Sequence, residues 1–149
     1  MRARRCRKVQ RVPAIDSCEP QVVRALDKAD WAVTDRPAPI WIGQGRKFVY
    51  ADLRLEHRVN HEQAIIVEVK CFPNKRNQLH EFYTALGQYL LYRTGLELRR
   101  RTERVYLAMP EAVYQTLQRS KAVRVLLRQQ AVHLILIDLD REEIVRWIH

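Results

Sequence analysis

Cysteine is scarce in this chain of 149 residues: Cys6, Cys18 and Cys71 are odd in number, widely spaced and free of any Cys-x-x-Cys or Cys/His ligand spacing. Neither a disulfide framework nor a structural zinc site is read from that usage, which fits a reducing, cytoplasmic compartment. No apolar run is long enough to span a bilayer, and no apolar segment follows the N-terminal arginines as a secretory signal would require. Internal repeats and a Gly/Ser/Pro linker are missing too. The expectation is a flexible basic arm over residues 1–13 and one domain over 14–149. No nucleic-acid stacking signature surrounds Trp31, Trp41 or Trp147, which read as core or rim anchors. His57 and His61 sit four apart without a zincin motif and read as surface histidines.

Acid is absent from the first twelve residues, where Arg2, Arg4, Arg5, Arg7, Lys8 and Arg11 supply six of the formal charge of +10, leaving +4 for the rest. Such a balance favours a polyanion, nucleic acid before membrane, because no amphipathic lipid-facing helix accompanies the charge. A solvated tail is the competing reading of the arm.

After Pro13 the pattern becomes globular. Asp16 or Ser17 as N-cap and Pro20 in the first turn open a helix to about Ala29, with Val22, Val23 and Leu26 toward the core. Trp31–Thr34 reads as a short strand, Arg36–Gly45 as a loop, and 48–53 and 64–70 as strands joined through the polar stretch 56–62. Leu79, Phe82, Tyr83, Leu86, Leu90 and Leu91 recur at helical spacing over Gln78–Leu98, the longest helix. Strands over 105–109, 132–138 and 144–148 and helices over 111–117 and 121–129 complete an α/β domain with a central mixed β-sheet flanked by helices.

The two middle strands carry charge where burial normally forbids it. Asp52 lies in Phe48-Val49-Tyr50-Ala51-Asp52-Leu53, and Glu68 and Lys70 lie in Ala64-Ile65-Ile66-Val67-Glu68-Val69-Lys70. A buried carboxylate costs several kcal/mol, roughly, unless a metal, a cation or hydrogen bonds compensate it. An antiparallel hairpin allows Asp52 to stand opposite Glu68, and period-two alternation puts Lys70 on Glu68's face. Phosphodiester hydrolysis wants this set. Magnesium takes one or two carboxylates, so Asp52, Glu68 and the Val69 carbonyl make a reasonable ligand shell, with Lys70 near the attacking water. The competing reading is a same-face Glu68–Lys70 ion pair on an edge strand, with Asp52 unrelated.

Asp52 followed by Glu68-Val69-Lys70 resembles the PD-(D/E)xK nuclease pattern of restriction-endonuclease-like folds. Val49-Tyr50-Ala51-Asp52-Leu53, Glu68-Val69-Lys70-Cys71-Phe72, Ala85-Leu86-Gly87-Gln88-Tyr89-Leu90-Leu91-Tyr92-Arg93, Leu107-Ala108-Met109-Pro110 and Ile144-Val145-Arg146-Trp147-Ile148 are similar to the XisH family of fdxN-element excision controlling factors. The resemblance runs from about Cys18 to the C-terminus and leaves the basic arm outside. It implies a nuclease-like core with Asp52, Glu68 and Lys70 at the site, and Gln88 reaching in to bond a phosphate or a metal-bound water. It also implies a companion protein, XisI, and a separate site-specific recombinase that carries the excision. Glu19 matches the place of an additional acid that contacts metal through water in many such nucleases; a helix-dipole role is its alternative. Gln88 shares a helix face with Tyr92, and Gly87 is expected to let that helix approach the sheet closely. Arg99, Arg100 and Arg101 after the long helix, and Lys121, Arg124 and Arg128 on one helix face, are candidate phosphate contacts or solvated faces. The leading expectation is a Mg2+-dependent DNA-transaction factor. The alternative is a catalytically silent binding module that regulates a recombinase through a XisI-type partner, and a basic scaffold that does not touch DNA is the third.

Overall fold

The computed structural model describes residues 16–149, so the basic arm lies outside the described residues. Helix α1 (Glu19–Lys28) carries a proline in its first turn, an acid at its start and a lysine at its end, all favourable at those termini. The strands β1 (Trp31–Asp35), β2 (Ala38–Trp41), β3 (Phe48–Ala51), β4 (Leu53–His57) and β5 (Ala64–Val69) follow, then the long helix α2 (Gln78–Leu98). The chain ends as β6 (Arg104–Pro110), α3 (Glu111–Leu117), α4 (Lys121–Gln129), β7 (Leu134–Asp138) and β8 (Glu143–Ile148). Ser120 caps α4 by accepting from the Val123 N–H at 3.3 Å, and Val123 and Leu127, one turn apart, turn into the core.

The main sheet has six strands in the order β1-β4-β5-β6-β7-β8. The central pairs β5/β6 and β6/β7 are parallel, and the outer pairs are antiparallel. Parallel strands reached by helical crossovers are covered on both faces, which is why β5, β6 and β7 are apolar at nearly every position. Two cores result. On one face Val22, Ala25 and Leu26 of α1 meet Leu53, Leu55, Ile65, Val67 and Val69. On the other face Phe82, Leu86 and Tyr89 of α2 meet Ile66, Leu107 and Leu134.

Three local expectations are corrected. The segment 48–53 is two strands rather than one, because the chain bends at Asp52: β3 leaves to pair with β2, which occupies part of the expected 36–45 loop, while β4 joins β5. Cys18 and Cys71 are bonded as a disulfide despite a sequence separation of 53, since the start of α1 packs beside the end of β5. Spacing along a sequence cannot show that neighbourhood. Gly87, thirdly, faces open space, and the close approach of α2 occurs at Gly95, where a Cβ would stand 2.8 Å from Ile40 Cγ2 and 2.8 Å from the Trp41 carbonyl oxygen.

Backbone cannot yield as a flexible side chain can, so Gly95→Ala is expected to destabilise the fold by about 1–3 kcal/mol. Gly87→Ala, helical and uncrowded, is expected to stabilise it by about 0.5–1 kcal/mol. Thermal melts of the two variants should move in opposite directions; a Gly95→Ala protein as stable as the parent would refute this packing.

Candidate functional site

The hairpin register pairs Leu53 with Val67, and continuing it sets Asp52 across from Glu68. Alternation on β5 points Ile65, Val67 and Val69 at the α1 core, so Glu68 and Ile66 turn to the α2 side. The expected convergence is present. Asp52 accepts a hydrogen bond from the Val69 N–H at 2.7 Å, and Lys70 Nζ lies 3.6 Å from Glu68 Oε1. The Lys70 N–H donates to the Ala108 carbonyl at 2.9 Å, which ties the end of β5 to β6. Asp52 is 9% exposed and Glu68 3%.

Helix α2 supplies the opposite wall. Tyr92 gives its one hydroxyl proton to the Tyr50 carbonyl at 3.0 Å and stands against Glu68 and Gln88. With that proton committed, Glu68 Oε2 and Gln88 Oε1 are buried acceptors with no donor. Unpaired buried acceptors cost of order 1–3 kcal/mol each, and native proteins rarely keep them without a partner such as water or an ion. Both are hard oxygen donors of the kind a divalent cation of magnesium's class takes.

Burial is the main cause that pushes the Asp52 carboxyl up to about 6, against the lowering effect of the Val69 N–H. Burial again, and then the charge of Asp52, push Glu68 up to about 8, with Lys70 opposing. The Tyr92 phenol is raised by burial first and by Glu68 second, so it stays protonated and donating. One acid inhibits the ionisation of the other, as expected where two carboxyl groups share a dry space.

Glu19 opens α1 and is 2% exposed, so it is no solvent-facing helix-end charge; its Oε1 accepts from Arg36 Nε at 2.6 Å. Its charge nevertheless reaches Asp52, raising that carboxyl further. Asp16 accepts from the Cys71 N–H at 3.3 Å, beside the disulfide. The roles of Arg36 and Asp16 carry no sequence signal, because their partners lie on other elements. Tyr92 is different: its four-residue spacing from Gln88 places it on the correct face.

The candidate phosphate contacts lie elsewhere. Arg99 stacks over the Trp41 ring at 4.0 Å, and Arg101 pairs with Glu103 at 2.6 Å, so both cations are occupied within the chain. From Gln88 to Arg99 is about 16 Å along the α2 axis at 1.5 Å per residue. Lys121, Arg124 and Arg128 are exposed on α4, the helix that leads into β7, two strands from β5 in the sheet, and Arg124 donates to the Gln118 carbonyl. The structure thus gathers Asp52, Glu68, Lys70, Gln88 and Tyr92, with Glu19 alongside, and leaves the six basic candidates outside that group.

A six-stranded mixed sheet flanked by helices, with Glu68 and Lys70 at the end of β5 and Asp52 beside them at the β3–β4 bend, defines an α/β fold. Within that class, the XisH protein family matches residues 12–145, and the chain belongs to the XisH family. Two crystal structures are similar throughout. One is of an fdxN element excision controlling factor protein from Anabaena variabilis, at 30% identity and a TM-score of 0.79, covering 90% of this chain and 100% of that one. The other is of an XisH family protein from Nostoc punctiforme, at 30% identity and a TM-score of 0.78, covering 89% and 100% respectively. No curated protein matches the chain. Among the described residues no helix is long and apolar enough to cross a membrane.

The raised carboxyls link stability to pH. Folded Glu68 still holds a proton between its ordinary value of 4.5 and about 8, where the unfolded chain has released it, so unfolding is favoured as pH rises through that window. In chelator, the melting temperature of the parent should fall from pH 5 to pH 8.5, and Glu68→Gln should flatten that fall and melt higher at pH 8.5. A Glu68→Gln protein with the parent's pH slope would refute the assignment.

Proposed function

We propose that this XisH-family protein acts in the control of DNA-element excision through a Mg2+-dependent phosphodiester-cleaving site. The observation that carries the proposal is the buried Asp52–Glu68 pair, with an acceptor oxygen of Glu68 lacking any donor and the Lys70 ammonium beside it. The two similar crystal structures, one of an excision controlling factor protein and the other of an XisH family protein, support the biological setting. DNA is the substrate in this reading, and a XisI-type companion and a site-specific recombinase are its partners.

Asp52, Glu68 and the Val69 carbonyl would hold the cation, and Gln88, which like Glu68 adjoins Tyr92, adds an acceptor oxygen with no partner of its own. A bound Mg2+ supplies Lewis acidity toward the phosphoryl oxygen and lowers the pKa of water. Glu68 must first lose the proton that burial lets it keep near neutrality, and a neighbouring divalent charge favours that loss. Lys70 orients the attacking water and offsets the negative charge that grows on the phosphoryl oxygens. Tyr92, hydrogen-bonded to the Tyr50 carbonyl, adjoins both Glu68 and Gln88.

Magnesium should raise the melting temperature more at pH 8 than at pH 6, because only the ionised acids bind it, and Glu68→Gln should abolish that gain. With magnesium present, the purified protein should nick supercoiled plasmid. Lys70→Ala and Glu68→Gln should each slow nicking by about 100-fold or more while circular dichroism stays unchanged. Plasmid left intact under magnesium and manganese, with and without the companion protein, would overturn cleavage. DNA binding that persists under those conditions would then favour the binding-module alternative.

A further inference from the structure

The main sheet coils so strongly that its two edges meet over one face, at the end remote from Lys70. Trp31 of β1 and Trp147 of β8 belong to opposite edge strands, yet their ring centroids are 5.9 Å apart. Below them Tyr106 of β6 forms a floor. Its ring is nearly perpendicular to both Trp147 (5.1 Å, 86°) and His149 (5.8 Å, 83°), and those two rings are parallel to within 5° with centroids 6.4 Å apart. Trp31 and its edge-on neighbour His57 close the far side. The resulting cleft holds about 560 Å3. Helix α1 stops at Lys28 and leaves this half of the face uncovered, with Ala29 at the rim.

Two features point to an occupant. Trp147 and His149, two positions apart in the chain at the end of the edge strand β8, hold their rings parallel to within 5°, so each turns a face the same way toward a planar ring entering the cleft. At the mouth stands Arg104, exposed and free of any ion pair among the described residues, while Gln63 and Glu62 offer amide and carboxylate groups to the edge of a ring. A ring that stacks and a cation that meets a phosphate are the two elements of unpaired-nucleotide recognition.

We propose that this cleft is a nucleobase site: a planar base stacks on Trp147 and His149 above Tyr106, and its 5′-phosphate meets Arg104. The base belongs either to a free nucleotide or to a single-stranded stretch of nucleic acid. The cleft is separate from the acids, since Ile65 and Lys70 on the same strand are about 16 Å apart at ~3.3 Å per residue. Binding here therefore stands or falls independently of cleavage.

Two of the chain's three tryptophans line the cleft, so fluorescence reports on it directly. In chelator, with Trp41→Phe removing the remote emitter, titration with adenosine monophosphate and separately with a short oligo(dA) should quench the emission. Quenching by both assigns a free nucleotide as sufficient, and quenching by the oligomer alone assigns the strand; either supports the site. By calorimetry on the full chain, Trp147→Ala should weaken binding about 10-fold or more, while Trp147→Phe, which keeps a stacking face, should retain it. Arg104→Ala should lower the salt dependence by about one phosphate contact. Absence of quenching by both ligands at millimolar concentration would overturn the proposal, as would binding that Trp147→Ala leaves unchanged while the variant still melts cooperatively.

Discussion

Two carboxyl groups removed from water at the middle of a sheet set the terms for everything near them. Each ion so buried costs several kcal/mol, roughly, and the two repel each other besides. Compensation is partial: one N–H from Val69 for Asp52, and a lysine 3.6 Å from Glu68. The remainder is met by keeping a proton, which is why Glu68 is driven to about 8 and why Tyr92 faces it as a neutral phenol. A stability-driven core would replace such a pair with apolar side chains of similar volume. The retained pair, with oxygen acceptors left unpaired, is the observation on which the proposed cation site rests.

The surrounding fold follows from delivering those groups. Glu68 must stand on a central strand to be dry and must point to the α2 side to meet Gln88 and Tyr92, and the parity of β5 does both. Asp52 must leave β3 and enter β4 at one bend, which sends Phe48–Ala51 away to pair with β2. That small sheet is what α2 rests on through Gly95, and its Tyr50 carbonyl accepts the hydrogen bond of the Tyr92 hydroxyl. The position of Gln88 over the acids thus depends on a contact two helical turns further along.

Much of this was legible in the sequence because it rests on local periodicity. The extents of α2, α3 and α4 match their sequence readings, that of α2 from its apolar spacing, and Asp52, Glu68 and Lys70 stand out as charges within β-branched runs. What could not be read depends on neighbours far apart in the chain. The Cys18–Cys71 bond, the Glu19–Arg36 pair and the exchange of roles between Gly87 and Gly95 all arise from how elements dock. The bend at Asp52 was hidden for a related reason: Ala51 and Leu53 are both fully buried, so hydrophobicity runs on without a break while the pairing partner changes. Trp31 and Trp147 belong here as well, since only sheet coiling makes neighbours of opposite edges.

One variable accounts for the two ends of the sheet being so different, and that is where α1 is held. Its first turn is fixed beside the acids by the disulfide to Cys71 and by Glu19, which is bonded to Arg36 and felt by Asp52. Ten residues of helix reach only about 15 Å at 1.5 Å per residue. From that anchor the helix seals the sheet face behind Val67 and Val69 and excludes water from the back of the acid pair. It then ends before the start of β5, where the aromatic residues stand open. A helix anchored one turn further along would reach over Trp147 and uncover the strand behind Glu68. The dry acids and the open aromatic cleft are therefore two consequences of the same short helix and its tether.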